Sequence, residues 1–141
     1  MNDLINLDYC ILHLDYNFNI EKLLEEYDNV TMQNFSKLNP RWIRSELIGS
    51  YGNSLVKKFS KYAKGRVAAG YYHQYANDEI KEHRDTGCKC RINILLKDND
   101  SILYMAGHEL KYKAALLNVN EYKHSVGKST TDRLIFSLVF V

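Results

Sequence analysis

The sequence predicts an α+β fold, mainly β, in which a double-sheet jelly roll or small barrel is buttressed by amino-terminal helices. Three observations predict it. Helical periodicity is confined to the first 65 residues of a 141-residue chain. From Arg66 onward, short segments rich in Val, Ile, Leu and Tyr alternate with polar or glycine punctuation, the texture of many short antiparallel strands. Such strands limit their exposed edges most economically by closing on themselves. Length and composition, with 45% hydrophobic and 26% charged residues, suit one globular domain spanning 1–141, residues 1–65 as support and 66–141 as the β core.

In chain order, Tyr9 to Leu14 reads as a short strand. Asn19 is an N-cap for a helix whose apolar Ile20, Leu23, Leu24 and Tyr27 follow the i, i+3, i+4, i+7 spacing. Pro40 stops any helix before it, and Trp42 to Ile48 reads as an extended edge segment. A second helix is expected over 54–63, with Leu55, Phe59 and Tyr62 on one face and lysines on the other. The strands expected next are 66–75, 80–83, 89–97, 101–106, 109–112, 114–119, 123–126 and 133–141. Side-chain parity is informative in two of them. Cys90, Ile92, Ile94 and Leu96 alternate with Lys89, Arg91 and Asn93, while Leu134, Phe136, Leu138 and Phe140 alternate with Arg133, Ile135, Ser137 and Val139. Each strand therefore has one apolar face and one that carries an arginine. An arginine sharing a face with Ile, Ser and Val asks for an anion inside the barrel.

Charge and length exclude several classes. Net charge is +2, too weak a balance to imply nucleic acid or an anionic membrane. No apolar run approaches the ~20 residues that span a bilayer, and no signal peptide is visible. Cys10, Cys88 and Cys90 make no disulfide framework and read as reduced thiols of a cytoplasmic protein, with Cys90 in the core and Cys88 in a loop. Gly127-Lys-Ser-Thr130 resembles the end of a phosphate loop, but Tyr122 stands where its first glycine belongs. His13, His73 and His108 have no partner visible in the sequence. Monomer and dimer are equally compatible with the chain.

His83, Asp85 and His124 are the candidate metal ligands and hence the catalytic centre. Two imidazoles and one carboxylate on one side of an ion leave three adjacent positions open, the arrangement of non-haem Fe(II) oxygenases. One residue separates His83 from Asp85, so an extended segment aims both at one ion, and His124 arrives from a later strand. Arg133 follows nine residues after His124, with a guanidinium suited to two-point contact with a carboxylate.

The stretch from Ala68 to Val141 resembles the core of the 2-oxoglutarate/Fe(II)-dependent dioxygenases. The residues that carry the likeness are His83-Arg-Asp85, Cys90-Arg-Ile-Asn-Ile-Leu-Leu96, Asn118-Val-Asn-Glu-Tyr-Lys-His-Ser-Val126 and Asp132-Arg-Leu-Ile-Phe-Ser-Leu138. Within that superfamily the chain is most similar to the aspartyl/asparaginyl β-hydroxylase-like group, and the prolyl-hydroxylase-like group shares the same skeleton. The resemblance implies a double-stranded β-helix, Fe(II) on His83, Asp85 and His124, and 2-oxoglutarate with its distal carboxylate on Arg133. It also implies Arg91 or Asn93 as a second anion contact, a Tyr75 hydroxyl offered to the co-substrate, and O2 as oxidant. The substrate implied is a peptidyl side chain or a small amino-acid-like molecule, hydroxylated with release of succinate and CO2. Departures from the pattern, Asn93 where a histidine is common and Ile135 two residues beyond Arg133, bear on co-substrate contacts and substrate class. Two other readings compete: a cupin-like metalloprotein that makes no use of 2-oxoglutarate, and a binding module whose histidines are structural.

Overall fold

The computed structural model describes residues 10–29, 36–39, 42–45 and 48–141; for 36–39, 42 and 43 only the backbone is described. Strand β1 (Ile11–His13) leads to helix α1 (Ile20–Asp28), strands β2 (Ser36–Asn39) and β3 (Trp42–Ser45), and helix α2 (Ser50–Phe59) with a 3-10 turn at Ser60–Tyr62. Eight strands follow: β4 (Val67–Gln74), β5 (Ile80–His83), β6 (Cys90–Leu95), β7 (Leu103–Met105), β8 (His108–Leu110), β9 (Ala114–Leu117), β10 (His124–Val126) and β11 (Arg133–Phe140). Among the described residues they form a major sheet in the order β1-β9-β6-β11-β4-β3-β2 and a minor sheet in the order β5-β10-β7-β8. Every described pairing is antiparallel. This is the mainly β jelly roll with helical buttress that the sequence predicts.

The expected parity decides which way each face looks. The even-numbered side chains of β6 and β11 pack outward with Phe18, Leu23, Leu55 and Phe59 from the helical layer. Their burial, with Ile92, Ile94, Phe136 and Leu138 all at 0% exposure, is the main hydrophobic glue between helices and sheet. The other face of the major sheet looks at the minor sheet across a second apolar cluster of Leu103, Met105, Ala115, Leu117, Val119 and Val126. The arginine-bearing face is thus the interior of the roll.

The amino-terminal half does more than buttress. Strands β1, β2 and β3 extend the major sheet on both sides, and β3 is an inner strand paired with β2 and β4, not the edge that its sequence suggests. The side chain of Trp42, and Pro40, lie outside the described residues. Asn19 caps α1 as expected, its side chain accepting from Lys22 N–H at 3.1 Å. Helix α2 begins four residues before its expected start, at Ser50. Its N-cap, Gly49, offers no side chain, and the cap comes from α1 instead. The Glu26 carboxylate accepts from the backbone N–H groups of Tyr51 at 2.5 Å and Gly52 at 3.2 Å, placing a negative charge at the positive end of the helix. Gly52 has its own reason to be there: a Cβ would meet the Phe136 ring at 3.2 Å, so glycine lets α2 settle onto the sheet.

Candidate metal centre and its cavity

Strand pairing brings the two imidazoles together. His124 of β10 stands directly opposite His83, the last residue of β5, and the ring centroids are 4.4 Å apart. Asp85 lies in the loop after β5, which is clipped to the loop before β10. Its N–H donates to Val119 O at 3.0 Å, and Asn120 Nδ2 donates to its carbonyl at 3.0 Å. Asp85 Oδ1 then sits 3.1 Å from His83 Nε2 and 3.6 Å from His124 Nε2. Among the described residues this is the one cluster of three ligand-type side chains with mutually close donor atoms.

Each imidazole has its other nitrogen occupied. His83 Nδ1 is 2.7 Å from Lys81 O, and His124 Nδ1 is 3.2 Å from Tyr122 O. A carbonyl only accepts, so both Nδ1 atoms carry a hydrogen and both Nε2 atoms face Asp85 Oδ1. A protonated His83 donates its Nε2–H to that oxygen, and a bound metal would take the place of that proton and leave Nε2 a lone-pair ligand. Backbone partners of this kind are what orient metal-binding histidines. Adjacent ligands of an octahedral ion with bonds of ~2.1 Å stand ~3 Å apart, so the donor set fits a divalent first-row metal.

The charges around the carboxylate are balanced. Arg91 Nε stands 2.7 Å from Asp85 Oδ2, a charge contact without a linear N–H···O arrangement, while its guanidinium lies over the Tyr72 ring at 5.2 Å. Burial pushes the Asp85 carboxyl up, but the His83 hydrogen bond and the charges of Arg91 and His124 outweigh it and hold the carboxyl below its ordinary value. The hydrogen bond to Asp85 raises His83, whereas burial lowers His124. For Arg91, burial works against the charged form, and Tyr72 and Asp85 more than offset it.

These groups line one cavity of about 220 Å³ between the sheets, and Arg133 lies on the same wall together with Asn93 and Tyr112. Arg133 is only 5% exposed, and its NH2 donates to the Tyr112 hydroxyl at 2.7 Å. No carboxylate pairs with Arg133 among the described residues, so the interior of the roll presents a guanidinium with no protein anion beside it.

Of the residues singled out in the sequence, His83, Asp85, His124, Arg133, Arg91 and Asn93 are brought to this cavity. Arg91 is engaged there with the Asp85 carboxylate. Tyr75 is not brought there. It follows the last residue of β4 and packs its ring 4.8 Å from His73, whose Nδ1 is 2.9 Å from the Tyr27 hydroxyl of α1. On β4 the residue opposite cavity-lining Ile135 is Tyr72, and strand alternation gives Tyr72 to the cavity and His73 to the helix side. His73, without a visible partner in the sequence, also contacts Asp132 Oδ2 at 2.7 Å. Cys88 lies in the loop before β6, as expected, and is buried there. Sequence reasoning missed Tyr112, Tyr72 and Arg44, which also line the cavity. Parity along β4 points to Tyr72 once Arg133 is placed; no local signal marks Tyr112, which follows the minor sheet's edge strand.

The sequence matches no family model and no curated protein. Solved structures do match. A prolyl-4-hydroxylase from Pseudomonas putida superposes with a TM-score of 0.73 at 7% identity, covering 98% of each chain. The fold is the jelly roll of the prolyl hydroxylases. The Trichoplax adhaerens prolyl hydroxylase, solved with a hypoxia inducible factor peptide fragment, gives 0.70 at 15% identity over 99% of this chain and 86% of that one. The viral collagen prolyl hydroxylase of Paramecium Bursaria Chlorella virus-1, solved as a 2OG complex, gives 0.68 at 7% identity over 94% and 96%. At these identities the likeness is one of fold, and the aspartyl/asparaginyl hydroxylase group is not among these three. Among the described residues no helix is long and apolar enough to cross a membrane.

Proposed function

We propose that this chain is an Fe(II)- and 2-oxoglutarate-dependent oxygenase that hydroxylates a C–H of a peptidyl side chain or an amino-acid-like molecule. One observation carries the reading: the Nε2 atoms of His83 and His124 and Asp85 Oδ1 converge in a cavity that also holds the buried guanidinium of Arg133, with no protein anion beside it among the described residues. A cupin-like metal site needs the three ligands but has no use for Arg133. Bound iron supplies oxygen activation, and 2-oxoglutarate supplies two electrons, so that O2 delivers one oxygen atom to the substrate and one to succinate, with loss of CO2.

The protein's own part is to hold and to exclude. His83 and His124, their Nδ1 hydrogens given to carbonyls, offer neutral Nε2 ligands. Arg91 engages Asp85 Oδ2 and leaves Oδ1 to the metal, which favours one-point ligation and keeps neighbouring positions open. Arg133 and Tyr112 take the distal carboxylate of the co-substrate, and Leu103, Leu117, Val119 and Val126 dry the cavity between them and the metal. His83, the most exposed of the three ligands, marks the mouth where substrate enters. The reading predicts one domain acting on a peptide or small molecule. Purified protein given Fe(II), 2-oxoglutarate and a panel of peptides and amino acids should form succinate, with His83→Ala silent. Metal-dependent succinate formation that survives His83→Ala, or none in the wild type over the whole panel, refutes the reading.

A further inference from the structure

A phenolic hydroxyl has one proton and two lone pairs, and the neighbours of Tyr112 occupy both lone pairs. Arg133 NH2 donates to it at 2.7 Å and Asn93 Nδ2 at 3.2 Å. Its own proton must therefore point elsewhere, and the cavity that Tyr112 lines with Arg133 and Asn93 is the space beside it. The direction of that proton depends on which end of the Asn93 amide faces Tyr112. Ser137 decides it. Ser137 is 0% exposed, stands directly opposite Asn93 across β6 and β11, and donates its hydroxyl to Asn93 Oδ1 at 2.7 Å. Asn93 is the side-chain partner of Ser137 among the described residues. Turning the amide over would face the Ser137 oxygen with an N–H and leave the Ser137 proton buried without an acceptor, the more costly failure.

We propose that Ser137 and Asn93 are positioning residues that set the Tyr112 hydroxyl as a donor into the cavity beside Arg133, and so make this end selective for an ionised carboxylate. The relay runs Ser137 to Asn93 to Tyr112, with Arg133 closing the other lone pair. Every group presented at this end is then a donor, and a ligand lacking the second carboxylate leaves those donors unmatched. The inference rests on the oxygenase reading for the choice of ligand, 2-oxoglutarate.

The test is calorimetric titration of Mn(II)-loaded protein without turnover, using 2-oxoglutarate and, as the control, 2-oxopentanoate, the same chain ending in a methyl group. Ser137→Ala should weaken 2-oxoglutarate binding about five- to tenfold and leave 2-oxopentanoate unchanged. Ser137→Thr, which keeps the hydroxyl, should restore the affinity. Tyr112→Phe should weaken binding similarly, and adding Ser137→Ala to it should cost nothing more, because the relay has lost its end point. A merely structural serine would weaken both ligands, or remain additive to Tyr112→Phe; either result overturns the proposal, as does unchanged binding in Ser137→Ala. If 2-oxoglutarate binds wild type with this pattern but Fe(II) supports no succinate formation, the oxygenase reading falls and the relay stands. Succinate formation with relay variants identical to wild type overturns the relay alone.

Discussion

Replacing Arg91 by methionine keeps most of the side-chain volume and removes the cation from the Asp85 carboxylate. In the metal-free protein Asp85 then keeps only the imidazoles as partners, inside a cavity wall where its side chain is 16% exposed and that of Arg91 was 20% exposed. Two unit charges about 4 Å apart attract by about 4 kcal/mol at an effective dielectric of 20. Removing one member of a fully buried pair typically costs about 3–5 kcal/mol. Residual solvent contact and the surviving His83 hydrogen bond place this pair lower, at about 2–3 kcal/mol. Urea unfolding of metal-free wild type and Arg91→Met at pH 7.5 reads the difference. The pH dependence has a definite sign. Asp85 is held below its ordinary value, so the pair's contribution is present above the unfolded carboxylate range and is lost as pH falls through the folded value. The two proteins should converge in stability there. Asp85→Asn combined with Arg91→Met, which leaves neither charge, should recover about half or more of the loss. An Arg91→Met protein within about 0.5 kcal/mol of wild type, or a double variant weaker than the single, refutes the account of Arg91 as the counter-charge of Asp85.

Three further outcomes follow from the same structure. Burial pushes the Cys90 thiol up to about 11 and raises Cys88 as well, so the folded state keeps protons that the unfolded chain releases earlier. Stability should therefore fall as pH rises from about 9 toward 11, and at pH 8 alkylation of the native protein, followed by mass spectrometry, should mark Cys10 well before Cys88 or Cys90. The hairpin between β7 and β8 turns through Ala106 at φ 51° and Gly107 at φ 78°. An alanine in that region is strained, and Ala106→Asn should raise stability by about 0.5–1 kcal/mol, seen as a higher midpoint in urea; an unchanged or lower midpoint counts against that strain. Asp132 is opposed by burial but held below its ordinary value by His73 and the Ala76 N–H. Its stabilisation is present above the unfolded value and lost as pH falls through the folded one, so Asp132→Asn should flatten the acid limb of the stability curve.

Alternation and spacing along single strands were legible in the sequence, because they are properties of consecutive residues. The even–odd pattern of β6 and β11 divided a helix-packed face from a cavity face, and seven of the eight carboxy-terminal strands lie within the segments their composition marks, β8 beginning one residue before its own, at His108. His83, Asp85, His124 and Arg133 were named on residue type and order. What the chain order does not contain is pairing between distant segments. The inner place of β3, the cap that Glu26 lends to α2, the engagement of Arg91 with Asp85 and the arrival of Tyr112 beside Arg133 each depend on which surfaces meet after the sheet closes. Tyr75 shows the boundary between the two kinds of knowledge. A tyrosine near the end of β4 suited the chemistry, but a shift by one residue along a strand turns a side chain to the other face, and the register with β11 assigns the cavity to Tyr72.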